Sequence, residues 1–97
     1  MNAIKQIGVI EYGNSAKLFE LSPTNILEGY TVSKIYYKNN VPASMINKNY
    51  PNATIVKDEH AIIGDSLIDM VIVSSPSSDE MNIVGEALKA NKPTRVV

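Results

Sequence analysis

The chain has 97 residues, 9 basic and 10 acidic, for a formal net charge of −1. That length sets the scale of one small domain with a thin core, and the balanced charge excludes binding nucleic acid by neutralising phosphates. Cysteine is absent, which removes disulfides, thiolate metal sites and a thiol nucleophile.

Residues 1–6 lack the apolar segment of a signal peptide. No run approaches the roughly 18 apolar residues of a membrane span. The expected setting is cytoplasmic, with no membrane partner. Short apolar runs then alternate with amphipathic stretches. Ile7, Val9 and Ile10 mark a first strand within 4–12. Residues 15–21 read as a helix, which Pro23 interrupts because its ring clashes with the preceding turn. Ser22-Pro23 also offers a cap and first position for a second helical turn, closed by Gly29. Tyr30 to Tyr37 is rich in β-branched and aromatic residues and predicts a second strand. Asn40 caps a helix over 42–49, with Met45, Ile46 and Tyr50 on its buried side. Pro51-Asn52 is a turn, and 53–57 a short third strand.

Asp58 caps a brief helix through Ile63, which Gly64-Asp65 ends. Ile68 to Val73 is nearly continuous apolar residues, the pattern of a central parallel strand covered on both faces. Residues 77–91 give the clearest helix. Met81, Val84 and Leu88 recur at helical spacing, with Ile83 and Ala87 beside them. Asp79 and Glu80 fall in its first turn, where carboxylates suit the dipole. After Pro93, residues 94–97 form a last strand.

The order βαβαβαβαβ implies a parallel sheet with helices on both faces. Right-handed crossovers give strand order 3-2-1-4-5. The predicted fold is therefore a Rossmann-like, doubly wound α/β domain over residues 1–97. Ligands of such sheets bind at the switch point, here between the carboxyl ends of the first and fourth strands. Two loops converge there, 11–16 and 74–79.

The first loop contains Gly8-Val9-Ile10-Glu11-Tyr12-Gly13-Asn14-Ser15-Ala16. It lies where a dinucleotide-binding turn of the G-x-G-x-x-G/A type belongs. Gly13 and Ala16 fill two of the three small positions. Glu11 takes the first, placing a carboxylate where bare backbone meets a pyrophosphate. Two readings stand side by side. In a purely structural turn, Gly13 supplies an unusual backbone angle and Ala16 close helix packing. In an anion site, helix amides hold a phosphate, worth up to roughly 2 kcal/mol. Like charges ~4 Å apart cost about 4 kcal/mol at an effective dielectric of ~20, so a Glu11 pointing into the turn repels the ligand. Alternatively its carboxylate substitutes for the phosphate.

The candidate cofactor-binding set is Gly8, Glu11, Tyr12, Gly13, Asn14, Ser15 and Ala16, with Tyr37 and Lys38 after the second strand and Ser74, Ser75 and Pro76 after the fourth. Lys38 is either a partner for a 2′-phosphate or a solvated loop lysine. Ser74, Ser75, Ser77 and Ser78 either touch a ribose or phosphate or serve as turn residues and helix caps, the better-supported role. His60 is the only histidine and reads as a surface residue. It supports neither a serine nucleophile nor a zinc site. Asp58, Glu59, Asp65 and Asp69 read as charges at the ends of elements that do not converge. No catalytic residue and no metal ligand is assigned. Tyr30, Tyr36, Tyr37 and Tyr50 lack the basic interleaving of a nucleic-acid surface, and Tyr36 and Tyr37 point to opposite faces of one strand.

Four segments carry a family resemblance: Ile7 to Ala16; Tyr50-Pro51-Asn52-Ala53; Ile68 to Pro76; and Glu86-Ala87-Leu88-Lys89-Ala90-Asn91-Lys92. On these the chain resembles the N-terminal Rossmann domain of the Gfo/Idh/MocA oxidoreductases, named for glucose-fructose oxidoreductase and inositol dehydrogenase. The match covers nearly the whole chain in order and spacing. It implies NAD or NADP in this domain, and hydride transfer to or from sugars and polyols with a second, C-terminal α/β domain. Several positions depart from the family pattern. Glu11 replaces the first glycine. Tyr37 stands where NAD-preferring members carry an acid for the ribose. Glu80 stands where many members have histidine, and Asn91 where they have glycine. The family's Glu-Lys-Pro motif, with its active-site lysine, would begin beyond Val97, as would the substrate domain.

The expectation is a degenerate NAD(P)-binding domain with weak or absent dinucleotide binding, NADP favoured over NAD through Lys38, and no hydride transfer alone. Two alternatives accompany it. One is the nucleotide-binding half of a split dehydrogenase, completed by a chain carrying the lysine and substrate domain. The other is an interaction module that forms a homodimer through the edge strand 94–97. The expected ligand is a small-molecule nucleotide, with no nucleic acid.

Overall fold

A computed structural model describes residues 5–13, 30–38, 48, 50–51, 53–74 and 76–96. Five strands and two helices are described: β1 (Lys5–Glu11), β2 (Tyr30–Tyr37), β3 (Thr54–Ile55), α1 (His60–Ile63), β4 (Met70–Ser74), α2 (Asn82–Lys89) and β5 (Thr94–Val96). All neighbouring strands run parallel, in the order β3-β2-β1-β4-β5. This is the expected parallel sheet and strand order, and the two described helices cover one of its faces. The helices expected over 15–21, 22–29 and 42–49 lie outside the described residues, apart from isolated Lys48.

β1 and β4 occupy the middle of the sheet, which explains their apolar runs. Ile7, Val9, Ile10, Val71 and Val73 are fully enclosed, because a central parallel strand is covered above and below. Alternation along the strands divides the core in two. Ile10, Tyr12, Val71 and Val73 pack with Ile62, Ile63, Ile68, Ile83 and Ala87 on the face that α1 and α2 cover. Ile7, Val9, Val32, Ile35 and Ile72 gather with Tyr50 on the other face. Tyr36 joins the first cluster and Tyr37 the second, as alternation requires.

Gly8 is dictated by packing. A Cβ there would collide with the Ile62 side chain and touch Ile68 Cγ2 at 3.5 Å. Beside it the pairing of β1 with β2 slips, from Ile7–Val32 to Gly8–Lys34, which leaves Ser33 as the extra residue.

Several element ends differ from the sequence expectation. β3 keeps only Thr54 and Ile55, although the Val56 N–H still donates to the Ile35 carbonyl at 2.9 Å. β4 begins at Met70 instead of Ile68, because Ile68 and Asp69 are held in the preceding loop. The Ile68 N–H donates to the Asp65 carbonyl, and the Asp69 carboxylate accepts from the Gln6 N–H at 2.7 Å. α1 starts at His60, whose N–H donates to the Asp58 carboxylate at 2.8 Å. The N-cap position itself is Glu59, without a side-chain cap bond, so the Asp58 carboxylate braces the turn one residue earlier than a cap.

α2 starts at Asn82, five residues after Ser77 opens the preceding turn. That turn is a reciprocal capping box: the Glu80 N–H donates to Ser77 Oγ at 3.3 Å, and the Ser77 N–H donates to Glu80 Oε1 at 2.8 Å. The far end is a Schellman motif. Asn91 takes a left-handed φ of 62°, its N–H donates to the Leu88 carbonyl, and the Lys92 N–H reaches back to the Ala87 carbonyl. A glycine would take this backbone without strain, whereas asparagine meets it at some cost. The buried side of α2 is Ile83 and Ala87. Met81 and Leu88 are 45% and 56% exposed, which corrects the face expected from spacing alone.

Candidate functional site

The carboxyl ends of β1, β2 and β4 meet at Glu11. It pairs with Tyr37 on one side and Ser74 on the other. Alternation places the three on the face shared with Ile7 and Val9. Glu11 is only 1% exposed and Ser74 is fully enclosed. Ser74 Oγ has no hydrogen-bond partner among the described residues. The sheet continues briefly past these ends. The Tyr12 N–H donates to the Ser74 carbonyl and the Lys38 N–H to the Glu11 carbonyl, both at 3.0 Å. These bonds fix where the next two candidate residues stand.

Tyr12 turns to the opposite face. Its hydroxyl donates to Glu59 Oε2 at 2.7 Å, and its ring meets Tyr36 edge to face at 6.0 Å and 68°. Burial, then the bond to Glu59, pushes the Tyr12 phenol well above the ordinary range. Tyr12 and Tyr36 form the apolar floor of a cleft of about 350 Å³, between the carboxyl ends of β1 and β2 and the heads of α1 and α2. Lys38 reaches across it to Glu80, Nζ to Oε2 at 2.7 Å. That contact raises the Lys38 ammonium, and together with the Ser77 N–H holds the Glu80 carboxyl below its usual range.

His60 lies at the same cleft. Its Nδ1 is 2.9 Å from Asp58 Oδ1 and its Nε2 3.1 Å from Glu86 Oε1. Glu86, then Asp58, raises the imidazole above its ordinary value. Four carboxylates line the cleft, Glu59, Asp79, Glu80 and Glu86, against Lys38 and His60.

Lys38 is ion-paired, His60 lies between two acids, and Glu11 occupies the switch point. Among the described residues no three potential ligands are grouped to hold a metal ion, and no helix is long and apolar enough to cross a membrane.

The structure thus brings Glu11, Tyr37 and Ser74 to one face, and Tyr12 and Lys38 to the other. Gly13 and Pro76 follow the strand ends, each half-buried. Gly8 sits within β1 against Ile62, three residues before Glu11. Asn14, Ser15, Ala16 and Ser75 lie outside the described residues. Sequence reasoning left Tyr36, Glu59, His60 and Glu86 out of the candidate set. Of the four acids at element ends, Glu59 accepts from Tyr12 and Asp58 lies beside His60, whereas Asp65 pairs with Lys34 and Asp69 accepts from the Gln6 N–H. The Ser77-x-x-Glu80 spacing is a signal in the sequence that could have found part of this arrangement.

No family model matches the chain. It is 29% identical over 72 residues to the scyllo-inositol 2-dehydrogenase (NADP(+)) IolW of Bacillus subtilis (strain 168), covering 74% of this chain and 19% of that protein. The solved structure of the Bacillus subtilis protein yvaA matches 99% of this chain and 27% of its own, with TM-score 0.79 and 24% identity. The scyllo-inositol dehydrogenase of Lactobacillus casei, solved with NAD(H) and scyllo-inositol, matches 95% of this chain and 27% of its own, with TM-score 0.71 and 20% identity. The chain therefore spans about a quarter of the length of these relatives. Strand order and these likenesses give the chain a Rossmann fold, similar to that of Gfo/Idh/MocA-type oxidoreductases.

Proposed function

We propose that the chain is the nucleotide-binding portion of a nicotinamide-dependent dehydrogenase of this type, with its grip on the dinucleotide weakened by Glu11. The observation that carries this reading is the burial of Glu11 at the carboxyl end of β1, between Tyr37 and Ser74. Ligands of doubly wound sheets cross the strand ends at this point. Like charges ~4 Å apart at an effective dielectric of ~20 cost about 4 kcal/mol, more than the roughly 2 kcal/mol that a helix N-terminus returns to an anion.

Relatives of both coenzyme types support the general reading, since one is named for NADP(+) and another holds NAD(H). Hydride transfer needs a substrate domain, supplied by further polypeptide or by another chain; the domain by itself binds and does not react. Calorimetric titration with NAD is expected to show millimolar binding, tightened about tenfold or more in Glu11→Gly. Micromolar binding by the unmutated protein would overturn the role given to Glu11.

A second reading, association of two chains along β5, draws on that strand's place at the sheet edge with Arg95 and Val96 exposed. Unpaired edges invite pairing. Light scattering that returns a monomer mass at high concentration would remove it.

A further inference from the structure

We infer that Glu80 is a built-in anion on Lys38, so that the cleft beside it admits a nucleoside with a bare ribose and rejects one bearing a 2′-phosphate. The inference rests on the nucleotide-binding reading and names the coenzyme form that the site takes. It also runs against the expectation that Lys38 favours NADP.

The argument begins with what each oxygen of Glu80 does. Oε2 accepts from Lys38 Nζ at 2.7 Å, and Oε1 accepts from the Ser77 N–H at 2.8 Å. The Glu80 N–H is itself bound to Ser77 Oγ. The carboxylate is thus anchored at both ends of a capping box and cannot swing aside without undoing it. A phosphate seeking Lys38 must displace an anion that backbone geometry already holds in place. The pair joins residues 42 positions apart, the carboxyl end of β2 and the turn before α2, and so bridges the cleft.

The surroundings point the same way. Asp79, Glu59 and Glu86 add negative charge to the lining, and the His60 imidazole is held by Asp58 and Glu86. A phosphate dianion entering here meets repulsion from several acids. A neutral ribose meets acceptors: its hydroxyls can donate to carboxylate oxygens, the arrangement by which acids select unphosphorylated ribose in dinucleotide sites. The Tyr12 and Tyr36 rings supply an apolar wall for a base.

The test uses adenosine and adenosine 2′-monophosphate, followed by the backbone amide NMR signals of Lys38 and Glu80. The unmutated protein is expected to bind adenosine about fivefold or more tightly than the 2′-phosphate. In Glu80→Gln the capping box keeps its shape while Lys38 loses its anion, so 2′-phosphate affinity should rise about tenfold and adenosine affinity change less than twofold. Adding Lys38→Met to Glu80→Gln should abolish that gain. A wild type that binds the 2′-phosphate as well as adenosine overturns the inference. So does an unchanged ratio in Glu80→Gln, or the absence of any shift with either ligand. Dinucleotide binding is judged apart, by the Glu11→Gly titration, which leaves Lys38 and Glu80 intact.

Discussion

The two ends of the sheet spend their lysines differently. At the amino end, Lys92 is 8% exposed and donates to the carbonyls of Asp65 and Ile68 at 2.8 and 2.9 Å. Nearby, Lys34 donates to the Ala61 carbonyl and pairs with Asp65 at 2.7 Å. Both cations are consumed by the loop between α1 and β4, and Gly8 lets Ile62 press onto β1 beside them. At the carboxyl end, Lys38 is largely exposed and meets a side chain, Glu80, across an open cleft. A lysine bonded to backbone carbonyls locks a loop, whereas one bonded to a carboxylate beside a cleft sets the charge that a ligand encounters.

Substitutions at the closed end should therefore cost stability, and those at the open end should change binding while sparing the fold. The largest loss is expected for Gly8→Ala, where overpacking against Ile62 costs about 2–3 kcal/mol, a fall in Tm of about 10 °C or more. Ile62→Ala should cost less in that background than alone, a coupling that thermal unfolding of the double-mutant cycle would measure. Lys92→Met comes next. It strips donors from two carbonyls in a buried setting and should cost about 2 kcal/mol by denaturant unfolding. A neutral result would break the contrast between the two ends. Asn91→Ala should lose about 1 kcal/mol, since alanine tolerates a positive φ poorly, while Asn91→Gly should lose nothing or gain.

The smallest effect belongs to the exposed His60 at the open end. Its folded-state pKa is raised by Glu86 and Asp58. Its stabilising effect is therefore fully present below the ordinary histidine value of 6.5 and fades as pH rises through the higher folded value. A Tm difference between wild type and His60→Gln should appear near about pH 5.5 and vanish in mildly alkaline solution. A difference that grew with pH would reverse the assignment. Glu80 behaves oppositely: its lowered pKa makes its contribution present above the ordinary value of 4.5 and lost as pH falls through the lower folded value.

Much of the sheet was legible because its rules are local. The apolar run before Ser74 marks a strand covered on both faces, and right-handed crossovers narrow that alternation of elements to a few orders, of which 3-2-1-4-5 is a common one. Ser77 and Glu80 are three residues apart, so their capping box could be read as a spacing. The buried side of α2 could not. The stripe at Met81, Val84 and Leu88 and the one at Ile83 and Ala87 are neighbours on a helix, and the sheet beneath selects between them.

The candidate site divides in the same way. Sequence alone determined that Glu11 stands at the switch point and that Lys38 follows β2, because chain order and strand polarity place both. It placed Asn91 at the end of the helix before β5, while the left-handed backbone at that residue emerged only in the structure. Only the tertiary structure decided what those charges meet. Glu59 comes under Tyr12, His60 beside Glu86, and Glu80 onto Lys38, through contacts spanning 26 to 47 residues. Such pairs carry no sequence period, since they arise where two crossovers return to the same end of one sheet.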